Sequence, residues 1–136
     1  MYRNHKQIFK MESKIEEAKA KKNSGKYNCA QAVACTYCQQ FGISEEQMSA
    51  LTSGYGLGLG NMTGTCGALL GAGAIAGLKS SDRFEAMKTM KRIMEKFHDR
   101  NSTTICGELK GVKTGHKLRE CIDCVADAAE FLEEEL

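Results

Sequence analysis

The chain contains no proline. The strongest helix breaker is therefore missing, and glycine is left as the only strong punctuation between helices. Apolar residues at Ile8, Met11, Ile15 and Ala18 recur at three- and four-residue spacing, which predicts a basic, amphipathic first helix over residues 3–24, ended by Gly25. Asn28 is a good N-cap for a second helix over 29–41, closed by Gly42. Ser44 with Gln47 has the capping-box pattern and opens a third helix reaching about residue 53. Gly54, Gly56, Gly58, Gly60 and Gly64 follow closely, and so dense a run weakens either regular element, so an irregular or partly helical loop is expected.

Thr63 or Thr65 is placed to cap a helix over 66–77. Its Gly67, Ala68, Gly71, Ala72, Gly73, Ala74 and Ala76 give it a thin waist, suited to close approach by a neighbour and to the centre of the fold. Asp82 and Glu85 read as another capping box, starting a helix to about residue 99 with a stripe of Phe84, Met87, Met90 or Lys91, Met94 and Phe97. Such a stripe is adaptable core sooner than a metal box. Thr103 or Thr104 can cap a short helix holding Ile105, Cys106 and Leu109, stopped by Gly111. The last helix has the cleanest face: Leu118, Cys121, Ile122, Val125, Ala128, Ala129 and Leu132. No repeat or long linker divides the 136 residues. The sum is an all-α, single-domain bundle of about five to six helices around a central Gly/Ala-rich helix, spanning residues 1–136.

The net charge of +2 gives no case for a nucleic-acid partner, and no aromatic platform accompanies the basic residues. The lysines of the first segment read as a solvated face lying near the acidic end, Glu130, Glu133, Glu134 and Glu135. No apolar h-region is legible near the start, and the stretch from Cys66 to Leu78 is too short and glycine-rich to span a bilayer. A cytoplasmic location is expected, where thiols stay reduced.

Seven cysteines is a high and odd count, and a chain of this length needs no disulfides to fold. Redox or metal chemistry is the better reading. A cysteine reacts as its thiolate, which unpaired N–H groups and the macrodipole of a helix N-terminus stabilise. Cys29, Cys66 and Cys106 each fall at a predicted helix start. Cys121 is read inside the last helix on its apolar face, as a small buried hydrophobe, a resolving thiol or a fourth ligand. Two CxxC pairs occur, Cys35 with Cys38 and Cys121 with Cys124, both placed within long helices. Neither is followed by histidine, so no c-type haem is implied. His5, His98 and His116 follow no metal spacing and read as surface or capping residues. The glycine run lacks a nucleotide fingerprint and a P-loop lysine, but its backbone could approach a cofactor or let Cys66 move.

Several segments carry a family resemblance: Asn28-Cys29-Ala30-Gln31-Ala32-Val33, the glycine-rich approach from Ser53 to Gly60, and Gly64-Thr65-Cys66-Gly67-Ala68-Leu69-Leu70-Gly71-Ala72. Cys106-Gly107-Glu108-Leu109 and Cys121 with Val125 and Ala128-Ala129-Glu130 follow. From about Tyr27 onward the chain resembles the redox-associated family named for its C_GCAxxG_C_C motif. The resemblance implies a helical four-cysteine protein and supplies no substrate. Its cysteines fall on Cys29, Cys66, Cys106 and Cys121, with Cys124 competing for the last place. Cys35, Cys38 and Cys124 read as extras.

The first expectation for function is thiol–disulfide chemistry, as an oxidoreductase or electron carrier with an unidentified redox partner, carried by Cys29, Cys66, Cys106 and Cys121. Cys66 or Cys29 is expected to be the attacking thiolate. The alternative is a zinc or iron–sulfur module using the same four cysteines as ligands. A third reading is an interaction module without chemistry, its Gly/Ala helix packed against a copy in a homo-oligomer.

Overall fold

A computed structural model describes residues 12–136. Among these residues there are seven α-helices and no β-strand; an isolated antiparallel bridge joins Thr65 to Ile105. The all-α expectation holds.

Helix α1 spans Ile15–Asn23. The expected continuous helix over residues 3–24 is interrupted, since residues 12–14 are not helical; its expected start lies outside the described residues. The Lys14 amide donates instead to Glu133 Oε2 at 2.7 Å, and Ser13 Oγ accepts from the Ile15 amide. Ile8 and Met11 lie outside the described residues. Glu16 and Glu17 in the first turn and Lys21 and Lys22 in the last suit the helix macrodipole. Gly25 follows in the left-handed conformation.

Helix α2, Cys29–Tyr37, opens with a full capping box: Asn28 Oδ1 accepts from the Gln31 amide and Gln31 Oε1 from the Asn28 amide, both at 2.8 Å. It tightens into a 3₁₀ turn, Cys38–Phe41, before Gly42 at φ +85°. Helix α3, Glu45–Leu51, carries the expected Ser44–Gln47 box. The glycine segment is irregular, as expected, with a 3₁₀ turn at Ser53–Tyr55 and a wide turn at Gly58–Met62.

Helix α4, Gly67–Ser80, packs against α2, α5 and α7 and is the centre of the bundle. Neither Thr63 nor Thr65 caps it; Thr63 Oγ1 bonds Asn61, Thr65 makes the bridge to Ile105, and Cys66 holds the N-cap position. The thin face is used inside the chain, against α2. A Cβ on Gly67 would meet the Tyr55 carbonyl oxygen at 2.9 Å, and one on Gly71 would meet the Ala30 backbone.

Helix α5 is Arg83–Asn101. Asp82 Oδ1 accepts from the Phe84 and Glu85 amides, but the Glu85 side chain reaches Lys88, so the expected box is half-formed. The expected stripe is shifted. Phe84 and Met87 are exposed, and the packed face runs through Met90, Ile93, Met94 and Phe97. Helix α6 is the short Cys106–Lys110, closed by Gly111 at φ +72°. No side chain caps it, although Thr103 Oγ1 accepts from the Ile105 amide.

Helix α7 is Cys121–Glu133. Leu118 precedes it and is exposed. Its acidic end is matched mainly by α5, through Arg92 to Glu135, Lys96 to Glu134 and Arg100 to Glu130. No described helix is long and apolar enough to cross a membrane.

Candidate functional site

Four helices begin at one place. Cys29, Cys106 and Cys121 are the first residues of α2, α6 and α7, and Cys66 is the N-cap residue of α4. The expectation that Cys121 sits inside its helix is corrected: residues 117–120 are not helical, Glu120 is in β geometry, and the helix starts at Cys121. Cys124 is three residues further on, so it shares a helix face with Cys121.

The local sequence brings these starts together. Gly67 and Gly71 let α4 approach α2 at Ala30, and the Cβ that Gly67 lacks would stand 3.4 Å from the Cys29 Cβ. Cys66 N donates to Thr104 O at 2.8 Å and Cys106 N to Gly64 O at 3.0 Å, which ties the openings of α4 and α6 across the Thr65–Ile105 bridge. Gly58, in the left-handed conformation, leaves room for Cys106, whose Cβ would lie 2.5 Å from a side chain there. The amides of Leu118 and Arg119 donate to Leu109 O and fix the lead-in to α7.

A buried carboxylate anchors α7. Asp127 is 2% exposed and accepts from Arg119 Nε and Nη2, Arg100 Nη1 and Asn101 Nδ2, at 2.9–3.0 Å. Burial pushes its carboxyl up, but these donors outweigh burial and hold it below the usual carboxylate range.

The result is a cavity of about 310 Å³ lined by Cys29, Cys66, Cys106, Cys121 and Cys124, with Lys22, Lys110 and Arg119 the charged side chains in its wall. All four predicted cysteines are in it. So is Cys124, the competitor for the fourth place in the motif; its position three residues after Cys121 is the sequence signal for it. Cys35 and Cys38 are elsewhere, buried in the core, where the Cys35 thiol faces Glu45 O and the Cys38 thiol Cys35 O. His98 and His116 are exposed and are not part of the cavity wall, and His5 lies outside the described residues.

The thiols work in pairs. Each thiol's proton is governed chiefly by one neighbour, Cys29 with Cys121 and Cys124 with Cys66. Cys121 is pulled down to about 5, first by the hydrogen bond from Cys29 and then, against the cost of burial, by Lys110, whose Nζ lies 2.9 Å from its sulfur. Cys29 moves the other way, because its proton is held in that bond and it is desolvated. Cys66 is lowered by the bond from Cys124, helped by the Ala68 and Leu69 amides and opposed by burial. Cys124 is raised by the same bond and by burial.

Position at a helix start is thus not sufficient. Burial pushes the Cys106 thiol up despite Lys110, because a five-residue helix has little dipole to offer. The Cys29 thiol, at the start of a nine-residue helix, is also pushed up, by its Cys121 neighbour and by burial. Lys110 carries no sequence signature; it lies eleven residues before Cys121 and only the fold joins them.

Metal binding by four sulfurs needs them gathered on one point. Among the described residues no group of three or more His, Cys, Asp or Glu side chains is arranged to hold a metal ion.

An all-α protein with five thiols lining one cavity is the class that fold and site define. The profile of the family described as "Putative redox-active protein (C_GCAxxG_C_C)" matches residues 27–135. The chain belongs to that family. The match begins just before Cys29 and takes in every cavity cysteine, while α1 lies outside it. No curated protein and no solved structure matches the chain.

Proposed function

We propose that this chain is a thiol–disulfide oxidoreductase or electron carrier in which Cys121 is the attacking thiolate and Cys29 the resolving thiol. The observation that carries the reading is the contact of Cys121 Sγ with Lys110 Nζ at 2.9 Å, in a cavity where the Cys29 thiol also bonds to Cys121. A thiol at about 5 is ionised at neutral pH, and the thiolate is the form that attacks a disulfide. Cys121 is half-buried, so a substrate sulfur can reach it.

The exchange balances without a further reagent. The Cys121 thiolate attacks a substrate disulfide, forms a mixed disulfide and expels one substrate thiolate. Cys29 then gives up its proton and attacks the Cys121 sulfur. A Cys29–Cys121 disulfide forms, the second substrate thiol leaves, and two electrons have passed from protein to substrate. Cys66 supplies a second thiolate in the same cavity, and Cys106 a neutral thiol packed against Gly58.

A trapping experiment tests this. Protein carrying Cys29→Ser, whose hydroxyl can still donate to Cys121, together with Cys66→Ser, which removes the other cavity thiolate, is treated with dithiodipyridine at neutral pH. The expected product is a stable mixed disulfide on Cys121, found by peptide mass mapping. Modification elsewhere with Cys121 left free would overturn the assignment.

A further inference from the structure

Cys66 and Cys124 take no part in the exchange just described, yet they line the same cavity. They are more deeply placed than the first pair: Cys66 is 5% and Cys124 3% exposed, while Cys29 and Cys121 are half-buried. The two pairs are built as successive rungs between the same elements. Cys121 and Cys124 share one face of α7. Cys29 and Cys66 open α2 and α4 side by side, brought together at Gly67. Each rung therefore joins α7 to the α2–α4 pair, one near the mouth of the cavity and one behind it.

We infer that Cys66 and Cys124 form a second, inner dithiol that passes its electrons to the outer Cys29–Cys121 pair, so that one chain delivers four electrons. This rests on the outer pair acting as the site of disulfide exchange. Once the Cys29–Cys121 disulfide has formed, Cys66 attacks the Cys121 sulfur. The Cys29–Cys121 bond breaks, and Cys29 leaves as a thiolate and takes up a proton. Cys124 then gives up its proton and attacks Cys66, and Cys121 leaves as a thiolate beside Lys110. The outer pair is again reduced, the inner pair has become a disulfide, and two electrons have moved outward. The direction follows from the site: a dithiol whose reduced form is stabilised, as Lys110 stabilises Cys121, is the stronger oxidant of two. Buried Cys66 and Cys124 thereby give up electrons to a substrate that never touches them.

Titration of the fully reduced, full-length protein with dithiodipyridine, followed by thiol counting and peptide mass mapping, tests the relay. Two molar equivalents should be consumed. After the first, the bridge found is Cys66–Cys124; after the second, Cys29–Cys121 as well. Cys35 and Cys38 should stay reduced. Cys124→Ser should lower the uptake from two equivalents to one, with a single internal bridge. Uptake of one equivalent by the unaltered protein, with Cys29–Cys121 as the only bridge under excess reagent, overturns the relay and leaves the outer exchange standing. No uptake at neutral pH overturns the exchange itself, and the relay with it. Because the stoichiometry and the mapping use the unaltered chain, a Cys124 variant that fails to fold does not decide the matter.

Discussion

Gly71 lies so close to Ala30 that a Cβ added to it would stand 3.0 Å from the Ala30 Cα and closer still to its carbonyl oxygen. The obstacle is backbone, which cannot swing aside as a side chain can. This contact sets the separation of α2 and α4, and so the spacing of Cys29 and Cys66 at their ends. The glycine that closes the Cys-Gly-Ala-x-x-Gly motif serves the cysteine five residues before it by letting two helices touch.

Gly71→Ala should accordingly destabilise the fold by about 1–3 kcal/mol, overpacking outweighing the gain in helix propensity. Gly77 lies in the same helix with nothing within 4 Å of its missing Cβ. Gly77→Ala should stabilise, by about 0.5–1 kcal/mol. Urea unfolding of the two variants under reducing conditions checks the opposite signs; equal effects would mean that the α2–α4 contact does not limit the packing.

The Cys121 thiolate has two supports that can be removed separately. Lys110→Met takes away the ammonium, and Cys29→Ala takes away the thiol donor. Both should move the midpoint of Cys121 alkylation upward from about 5, toward the ordinary thiol value of about 8.5. The Cys29 variant should move it further, since that hydrogen bond is the larger influence. The pH profile of alkylation at Cys121, read by mass spectrometry, distinguishes them. A midpoint unmoved by both changes would leave the low value without a cause.

Much of the fold was legible because its punctuation is local. Asn28, Ser44, Asp82, Gly42 and Gly111 mark helix ends by chemistry that acts over three or four residues, and each marks one in the structure. What failed depended on distant partners. The chain at 12–14 is drawn out of helical geometry by Glu133, over a hundred residues away. Phe84 and Met87 fit a helical stripe but lie before the turn at which α5 meets its neighbours. At the site, the choice between Cys121 and Cys124 could not be made by spacing, because both belong to it. The pairing of thiols, and the ammonium beside one of them, are products of tertiary contact and have no sequence signature.

Asp127 is the polar post on which the start of α7 rests. Asp127→Asn keeps the shape and removes the charge, leaving Arg119 and Arg100 without their shared partner. A loss of about 1–2 kcal/mol is expected, because the buried carboxylate's hydrogen bonds are weakened while the arginines, more than a third exposed, stay solvated. The folded carboxyl lies below its usual range. Its contribution is complete above the ordinary carboxylate value of about 3.9 and is lost as pH falls through the folded value. Stability of the variant measured against the unaltered protein at neutral pH and in acid should therefore differ most at neutral pH.

The outer thiol pair makes stability depend on pH between about 5 and about 8.5. Cys121 ionises at about 5 when folded and at about 8.5 when unfolded. Between these values the unfolded chain holds a proton that the folded chain has released, so this contribution grows as pH rises and is lost as pH falls toward 5. Cys29 acts oppositely. Its folded value lies above the unfolded one, so its contribution is complete below about 8.5 and declines above it. The pair together should stabilise the fold most near pH 8–9, estimated from the same reference value. Cys121→Ser removes the ionising member. The stability difference between the reduced protein and this variant should widen from pH 5 to about 8, with a slope below the limit of about 1.4 kcal/mol per pH unit, because the folded and unfolded chains differ by less than one full proton at this group. Urea unfolding at stepped pH measures the slope, and a difference that stays flat across the interval would mean that Cys121 is not held as a thiolate.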